Sequence, residues 1–591
     1  MSQPSLPSTQ YAVQLIGPSQ LRLNRDKAVV PPGPRQIVAK IEAVGLCFSD
    51  LKLLKQFADH PRKAAIVSGI DADTLADIPS YVPGELPVVP GHEAVCRIVA
   101  VGSDVRHHRL GERVLVQTDY RDLKTPGSNG AFGYNFDGGL QEYVLMDERV
   151  ILERGGKRFL IPVPDSLGSS AVALVEPWAC VEASYVSPER RGPLAGGRML
   201  VVADAGAAVR GLAAACGADK PGHVMGICAA ASQTRALRHE MGRSRPDDAQ
   251  AGPDETTPYD LVEHDAAVAA ALEAIAKLGE ATFDDIVYFG HDPAVIEALN
   301  DRLAAGGLMN IVTAGELIGR PVSVGVGRVH YGLTRWVGTV TDDASDSYKH
   351  IPATGEIRAG ERMLVVGAGG PMGQMHVIRN ICSGTAGLSI VASDTDDGRL
   401  NLLMEKARPL ADARNVQLTA VNATRTTDPA QTAGPARRHT YYAIMAPVAP
   451  LVADAVRSAG DGAVINIFAG IPAPTKHPLD LDAYIAKRCY MFGTSGSVIG
   501  DMEIVLAKVS AGQLDTDCSV DAVCGMAGAI ESLAAVEHRT LAGKIIVYPA
   551  LRETGLIPLN RLREHFPTVA AKLHNGGWCK EAESELLAVA K

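Results

Sequence analysis

Residues 363–394 read MLVVGAGGPMGQMHVIRNICSGTAGLSIVASD. Met363-Leu364-Val365-Val366 is short, apolar and branched, the composition of a buried parallel strand. A glycine-dense turn follows, Gly367-Ala368-Gly369-Gly370-Pro371-Met372-Gly373, and then a helical segment. A second buried run, Leu388-Ser389-Ile390-Val391, ends in Asp394, 21 positions after Gly373. That order and spacing match the dinucleotide fingerprint. Glycines let backbone approach a pyrophosphate, and the helix start offers free N–H groups at the positive end of its dipole. The acid closing the second strand can accept both hydroxyls of an adenosine ribose. The candidate cofactor residues are therefore Gly367, Gly369, Gly370, Pro371, Met372, Gly373 and Asp394, with Arg399 and Gly470 downstream.

The chain around this stretch has 591 residues, room for about four domains. It is 46% hydrophobic and 21% charged, an ordinary globular mixture. A net charge of −10 argues against a general nucleic-acid binder. No apolar run approaches a membrane span, and the start MSQPSLPSTQYAVQL has no secretory pattern. Ten cysteines are scattered without a CxxC pair, which fits a reducing, cytoplasmic setting.

The first 190 residues predict a β-rich domain. YAVQLIG, QLRLN and QIVAKIEAVG alternate like short antiparallel strands. A segment of mixed charge, 56–86, interrupts the pattern. Beyond it, residues 199–348 resemble 363–503. Arg198-Met199-Leu200-Val201-Val202 matches Arg362-Met363-Leu364-Val365-Val366 at an offset of 164, and Ala314-Gly315, Gly338-Thr339 and Asp346 find partners 155 positions on. A longer linker in the first copy, RSRPDDAQAGPDETTPYD, accounts for the change. Two tandem doubly wound α/β domains follow from this. The copies differ where a ligand would bind. Against Gly367, Gly370 and Gly373 the first has Ala203, Gly206 and Val209, and against Asp394 it has Ala230. The first copy is expected to have lost dinucleotide binding.

Cys47, His92, Glu93 and Glu176 are the candidate metal ligands. Thiolate, imidazole and carboxylate suit zinc, and their wide spacing suits a catalytic site assembled from loops rather than a finger. GLCFSD at 45–50, PGHE at 90–93, GGLQEY at 138–143 and EPWAC at 176–180 together resemble the zinc-dependent medium-chain dehydrogenase/reductase family. The C-terminal copy, with FAG at 468–470 and FGTSG at 492–496, is similar to the sorbose-1-phosphate reductase branch of its polyol dehydrogenases.

The resemblance implies an α/β architecture: a GroES-like catalytic domain plus two tandem doubly wound (Rossmann) domains, the first degenerate. The expected domains are 1–190, completed by 515–550; 197–350; 358–514, binding NAD; and a helical extension, 551–591. It implies Cys47 and His92 as zinc ligands, Glu176 as the third, directly or through water, and Glu93 as an alternate. Ser49 would enter the proton relay and Asp50 would support the metal ligands, while Lys52 stands where many relatives have a relay histidine. The implied activity is hydride transfer between NAD and the CH–OH or C=O group of a polyol, sugar or sugar phosphate. NADP is disfavoured because Asp394 would repel its 2′-phosphate. A simpler alcohol or amino-alcohol is the alternative substrate, and a cofactor-binding scaffold the alternative class. No cysteine lies between Cys96 and Cys180, so one catalytic zinc and no structural zinc are expected. The basic turn Arg106-His107-His108-Arg109 reads as a solvated surface. The small-molecule substrate is the expected partner, with neither nucleic acid nor membrane. A homo-oligomer is compatible with the sequence. Within the chain the two α/β copies are expected to form an internal pseudo-dimer through segments near Gly315–Val326 and Gly470–Pro478.

Overall fold

Branched, alternating segments from both ends of the chain build one unit, and the longer apolar runs of the middle build another. The computed structural model describes residues 5–241, 259–263, 267–425 and 438–590. It divides into Met1–Glu182 with Gly496–Lys591, and Ala183–Ser495.

In the first unit the strand Gln36–Gly45 is buried along most of its length and organises an eight-stranded sheet. Glu93–Val101 runs antiparallel beside it, pairing Gly45 with Glu93, and Tyr143–Asp147 also pairs with it. Lys544–Val547 joins through Ile546 and Val547, so a strand from near the end of the chain lies next to one from its start. The tail read as a separate extension belongs to this unit. Its strand Ile557–Pro558 pairs with Val520–Cys524, and Glu583 accepts the N–H groups of Ser169 and Ser170 at 2.6 and 2.7 Å. That carboxylate supplies the first turn of Ser169–Ala173 with the acceptor its own sequence lacks. The segment 56–86 folds as a short 3-10 turn, Phe57–Asp59, and a one-turn helix, Ala72–Ala76, capped by Asp71. It is pinned by Lys63, whose fully buried ammonium donates to the carbonyls of Val82 and Leu86.

The second unit holds one continuous sheet of twelve strands among the described residues. Its spatial order is Tyr259–Glu263, His223–Cys228, Arg198–Ala203, Phe283–Phe289, Leu303–Val312 and Arg335–Thr339, then Tyr490–Phe492, Val464–Ile467, Tyr441–Ile444, Arg362–Val366, Ser389–Asp394 and Gln417–Asn422. Each half is parallel, as doubly wound domains are. The halves meet antiparallel at Trp336 and Met491. Beneath that joint Val322–Val324 pairs antiparallel with His477–Leu479, in the segments read as the contact. The registers are informative. Trp336 and Met491 are 155 positions apart, as are Ser323 and Pro478, and each of these pairs is directly opposed. On either side Val322 meets Leu479 and Val324 meets His477, the reciprocal exchange that a two-fold axis requires. One hydrophobic core runs through both halves, from Leu200 and Trp336 to Tyr484 and Met491.

The sheet also revises one alignment. Val366 pairs with Ser393 in the second half, whereas Val202 pairs with Ile227 in the first. Cys228, not Ala230, therefore occupies the place of Asp394. The offset slips by two between the first strand and the second, which a constant offset along the sequence conceals. The longer linker expected at 243–260 lies outside the described residues except for its last two positions.

Candidate functional site

Cys47 stands immediately before the helix Phe48–Gln56, and Asp50 accepts its backbone N–H at 3.0 Å. The other oxygen of Asp50 lies 3.0 Å from Nδ1 of His92. One fully buried carboxylate thus fixes both the helix start and the imidazole, leaving Nε2 as the ligand atom. Burial opposes a charged His92, but Asp50 outweighs it and holds the ring well above its usual pKa.

Cys47, His92 and Glu93 each offer a ligand atom, and the three atoms lie within 4.8 Å of one another. Glu93 is fully buried. Its Oε1 accepts from Lys544 Nζ at 2.5 Å, while its Oε2 has no hydrogen-bond partner. A buried carboxylate oxygen without a partner is costly unless a cation answers it. Gly45 makes the room: a Cβ there would sit 2.1 Å from that oxygen. Glu176, on the helix Val175–Val186, lies outside the close trio but is 8% exposed. Burial pushes its carboxyl pKa up; His92 counteracts this and Glu93 adds to it. A thiol, an imidazole and two buried carboxylates, one with an unanswered oxygen, fit a zinc ion.

Ser49 Oγ is 3.7 Å from Cys47 Sγ, and Lys52 is exposed one turn along the same helix. Sequence reasoning missed Lys544 and Tyr134. The first carried a signal, a lysine in the otherwise apolar strand KIIV. Tyr134 is buried with its ring centroid 5.7 Å from that of His92 and 5.1 Å from that of His60. The basic turn at 106–109 already encloses an anion: Glu148 accepts from the N–H groups of Arg106 and His107 and pairs with His108 Nδ1.

In the second unit Gly367 adopts φ +81°, and Gly370 precedes the helix Pro371–Cys382. A Cβ on Gly373 would meet Gly367 O at 2.3 Å, the close helix–strand approach that reserves this place for glycine. Asp394 closes its strand, accepting from Gly369 N at 2.8 Å and from the N–H groups of Thr395 and Asp396. Arg399 lies against Gly369, and Gly470 faces the hydroxyl of Tyr331. The first half has no such cradle. Asp204 follows its first strand directly and accepts from the Tyr288 hydroxyl at 2.5 Å, while the next helix shrinks to Leu212–Cys216. An acid at that turn would repel a pyrophosphate.

The alcohol dehydrogenase GroES-like domain profile matches residues 33–155. The chain is 30% identical over 156 residues to the uncharacterized zinc-type alcohol dehydrogenase-like protein YphC of Escherichia coli, covering 24% of this chain and 40% of that protein. It is 26% identical over 302 residues to the uncharacterized protein YggP of the same organism, 47% of this chain and 66% of the other. With D-xylulose reductase of Morganella morganii it shares 29% over 153 residues, 25% and 38% of the two chains. The matched stretches thus span less than two thirds of each relative. Residues 33–155 thus carry an alcohol dehydrogenase GroES-like domain, and the chain is similar to zinc-type alcohol dehydrogenases of the medium-chain kind.

Proposed function

We propose that this chain is a zinc-dependent oxidoreductase that moves a hydride between NAD and the CH–OH or C=O group of a polyol or sugar. The observation that carries the reading is the trio Cys47, His92 and Glu93 with the unanswered Glu93 Oε2. Similarity to a D-xylulose reductase supports the substrate class. When bound, zinc supplies a Lewis acid that makes a hydroxyl more acidic, and the nicotinamide accepts or returns the hydride.

The chain's own residues do the rest. Cys47, His92 and Glu93 would hold the metal, and Glu176 would be a further ligand. Asp50 fixes the tautomer of His92. Lys544 balances the charge of Glu93, so that the site does not gather uncompensated carboxylates. The Ser49 hydroxyl takes the substrate proton at Oγ, and Lys52, on the same helical face, passes protons to and from solvent. Gly367–Gly373 would hold the dinucleotide, the N–H groups opening Pro371–Cys382 meeting its pyrophosphate. Asp394 would accept the ribose hydroxyls, which would favour NAD over NADP.

A panel of polyols and their ketoses with NAD(H) and NADP(H) tests this. At least one polyol should be oxidised faster with NAD, and Asp394→Ala should shift the preference towards NADP by roughly tenfold or more, one lost charge-assisted contact. No turnover on any polyol, or an unchanged cofactor ratio in the variant, would contradict the reading.

A further inference from the structure

The segment 56–86 brings a guanidinium to the neighbourhood of the metal trio. Arg62 lies over the ring of Tyr134, 5.6 Å from its centroid, and the same ring lies 5.7 Å from the imidazole of His92. One aromatic ring therefore neighbours both Arg62 and a candidate metal ligand. Arg62 Nη2 reaches Asp119 Oδ2 at only 3.7 Å, longer than a hydrogen bond. The same oxygen accepts from Arg121 Nε at 3.2 Å, and Arg121 Nη2 donates to Ser497 O at 3.1 Å. Asp119 is also held at Oδ1 by Asn129. Two guanidiniums thus share one carboxylate whose side chain is 10% exposed, while their own are 28% and 43% exposed.

Asp119 carries one negative charge against the two of the arginines, while Asp501 feels the charge of Arg121 and Glu176 that of Arg62. Lys52 adds another positive charge. Burial, reinforced by Arg62 and Lys52, holds the His60 pKa down to about 4, so the positive charges converge around that ring. Arginine forks suit planar or tetrahedral oxyanions, which they bind bidentately. Asp119 serves to hold two such forks side by side without cancelling both.

We propose that Arg62 and Arg121 form a recognition site for an anionic group, a phosphate or a carboxylate, at the end of the substrate remote from the reacting carbon. The proposal rests on the polyol reading above and narrows it to anionic polyols and sugars. In this account the segment 56–86 is a specificity element.

The test uses the full zinc-loaded chain. Wild-type protein should bind inorganic phosphate by calorimetry, and Arg62→Gln/Arg121→Gln should lose that binding. In kinetics, Arg62→Gln should raise KM for a phosphorylated polyol by roughly ten- to a hundredfold and leave KM for the neutral polyol within about twofold. A polyol bearing a terminal carboxylate forms the second arm, and the arm showing the rise identifies the anion. Equal effects on charged and neutral substrates, or none on any anionic substrate, would overturn the proposal. Should the double variant not fold, Arg62→Gln, which leaves Arg121 on Asp119, carries the same comparison. Two failures can be told apart. Phosphate binding that needs the arginines, in a protein that oxidises no polyol, sinks the catalytic reading and keeps the anion site. Turnover of neutral polyols with phosphate binding unchanged in the variants does the opposite.

Discussion

Single carboxyl groups in the first unit illustrate how burial and charge are balanced. Asp517 is 5% exposed and sits near Glu583. Burial pushes its pKa to about 8; a bond from Ser170 opposes this and Glu583 adds to it. An unfolded aspartate titrates near 4. The folded chain therefore binds this proton more tightly, and its stabilising effect is whole below about pH 4 and lost as pH rises through about 8. Asp517→Asn keeps the shape without the ionisation. Its thermal midpoint should exceed the wild type's at pH 8.5, and the difference should shrink towards pH 4.5. A constant difference across that range would contradict the assignment. Residues of this kind are illegible in the sequence, because their environment comes from chain segments hundreds of positions away. Glu93 and Lys544 are a case in point, separated by 451 positions yet 2.5 Å apart. Cys47, His92 and Glu93 were legible as candidates because their types suit a metal, although the sequence does not fix which oxygen stays unanswered.

At the scale of elements, the turn between Arg362–Val366 and Pro371–Cys382 assigns different tasks to its glycines. A Cβ on Gly373 would strike the backbone at Gly367 O and Ala368 Cα, at 2.3 and 2.7 Å. A Cβ on Gly370 would find Gly367 O no nearer than 3.9 Å. Gly373→Ala should therefore lower stability by about 1–3 kcal/mol through overpacking and abolish NADH binding. Gly370→Ala should melt like the wild type, and any loss should be confined to dinucleotide affinity. Thermal melts and NADH fluorescence titrations check both, and equal melting of the two variants would contradict the distinction. This element was readable in advance because strand, turn, helix, strand and acid are local and ordered. The two-residue slip that places Cys228 opposite the end of Arg198–Ala203 was not, since sheet register is set by tertiary pairing. The strand Val322–Val324 was legible only as a segment needing cover, not as the partner of His477–Leu479.

At the scale of the whole molecule, one chain contains what a symmetric pair of nucleotide-binding domains would otherwise supply. The centred pairs Trp336–Met491 and Ser323–Pro478 join the halves of the second unit about a pseudo-two-fold axis and leave neither joining strand as a free edge. The first half retains the strands and the shared core but not the glycine turn of the second. The first unit has one candidate cluster of three metal-ligating side chains among the described residues. The proposed hydride transfer depends on that cluster being a zinc site. Elemental analysis of the full chain, purified without chelators, beside its Cys47→Ala/His92→Ala variant, tests this most directly. The account predicts one zinc per chain in the wild type and none in the variant; a wild type without zinc, one holding two, or a variant that keeps its metal would contradict it.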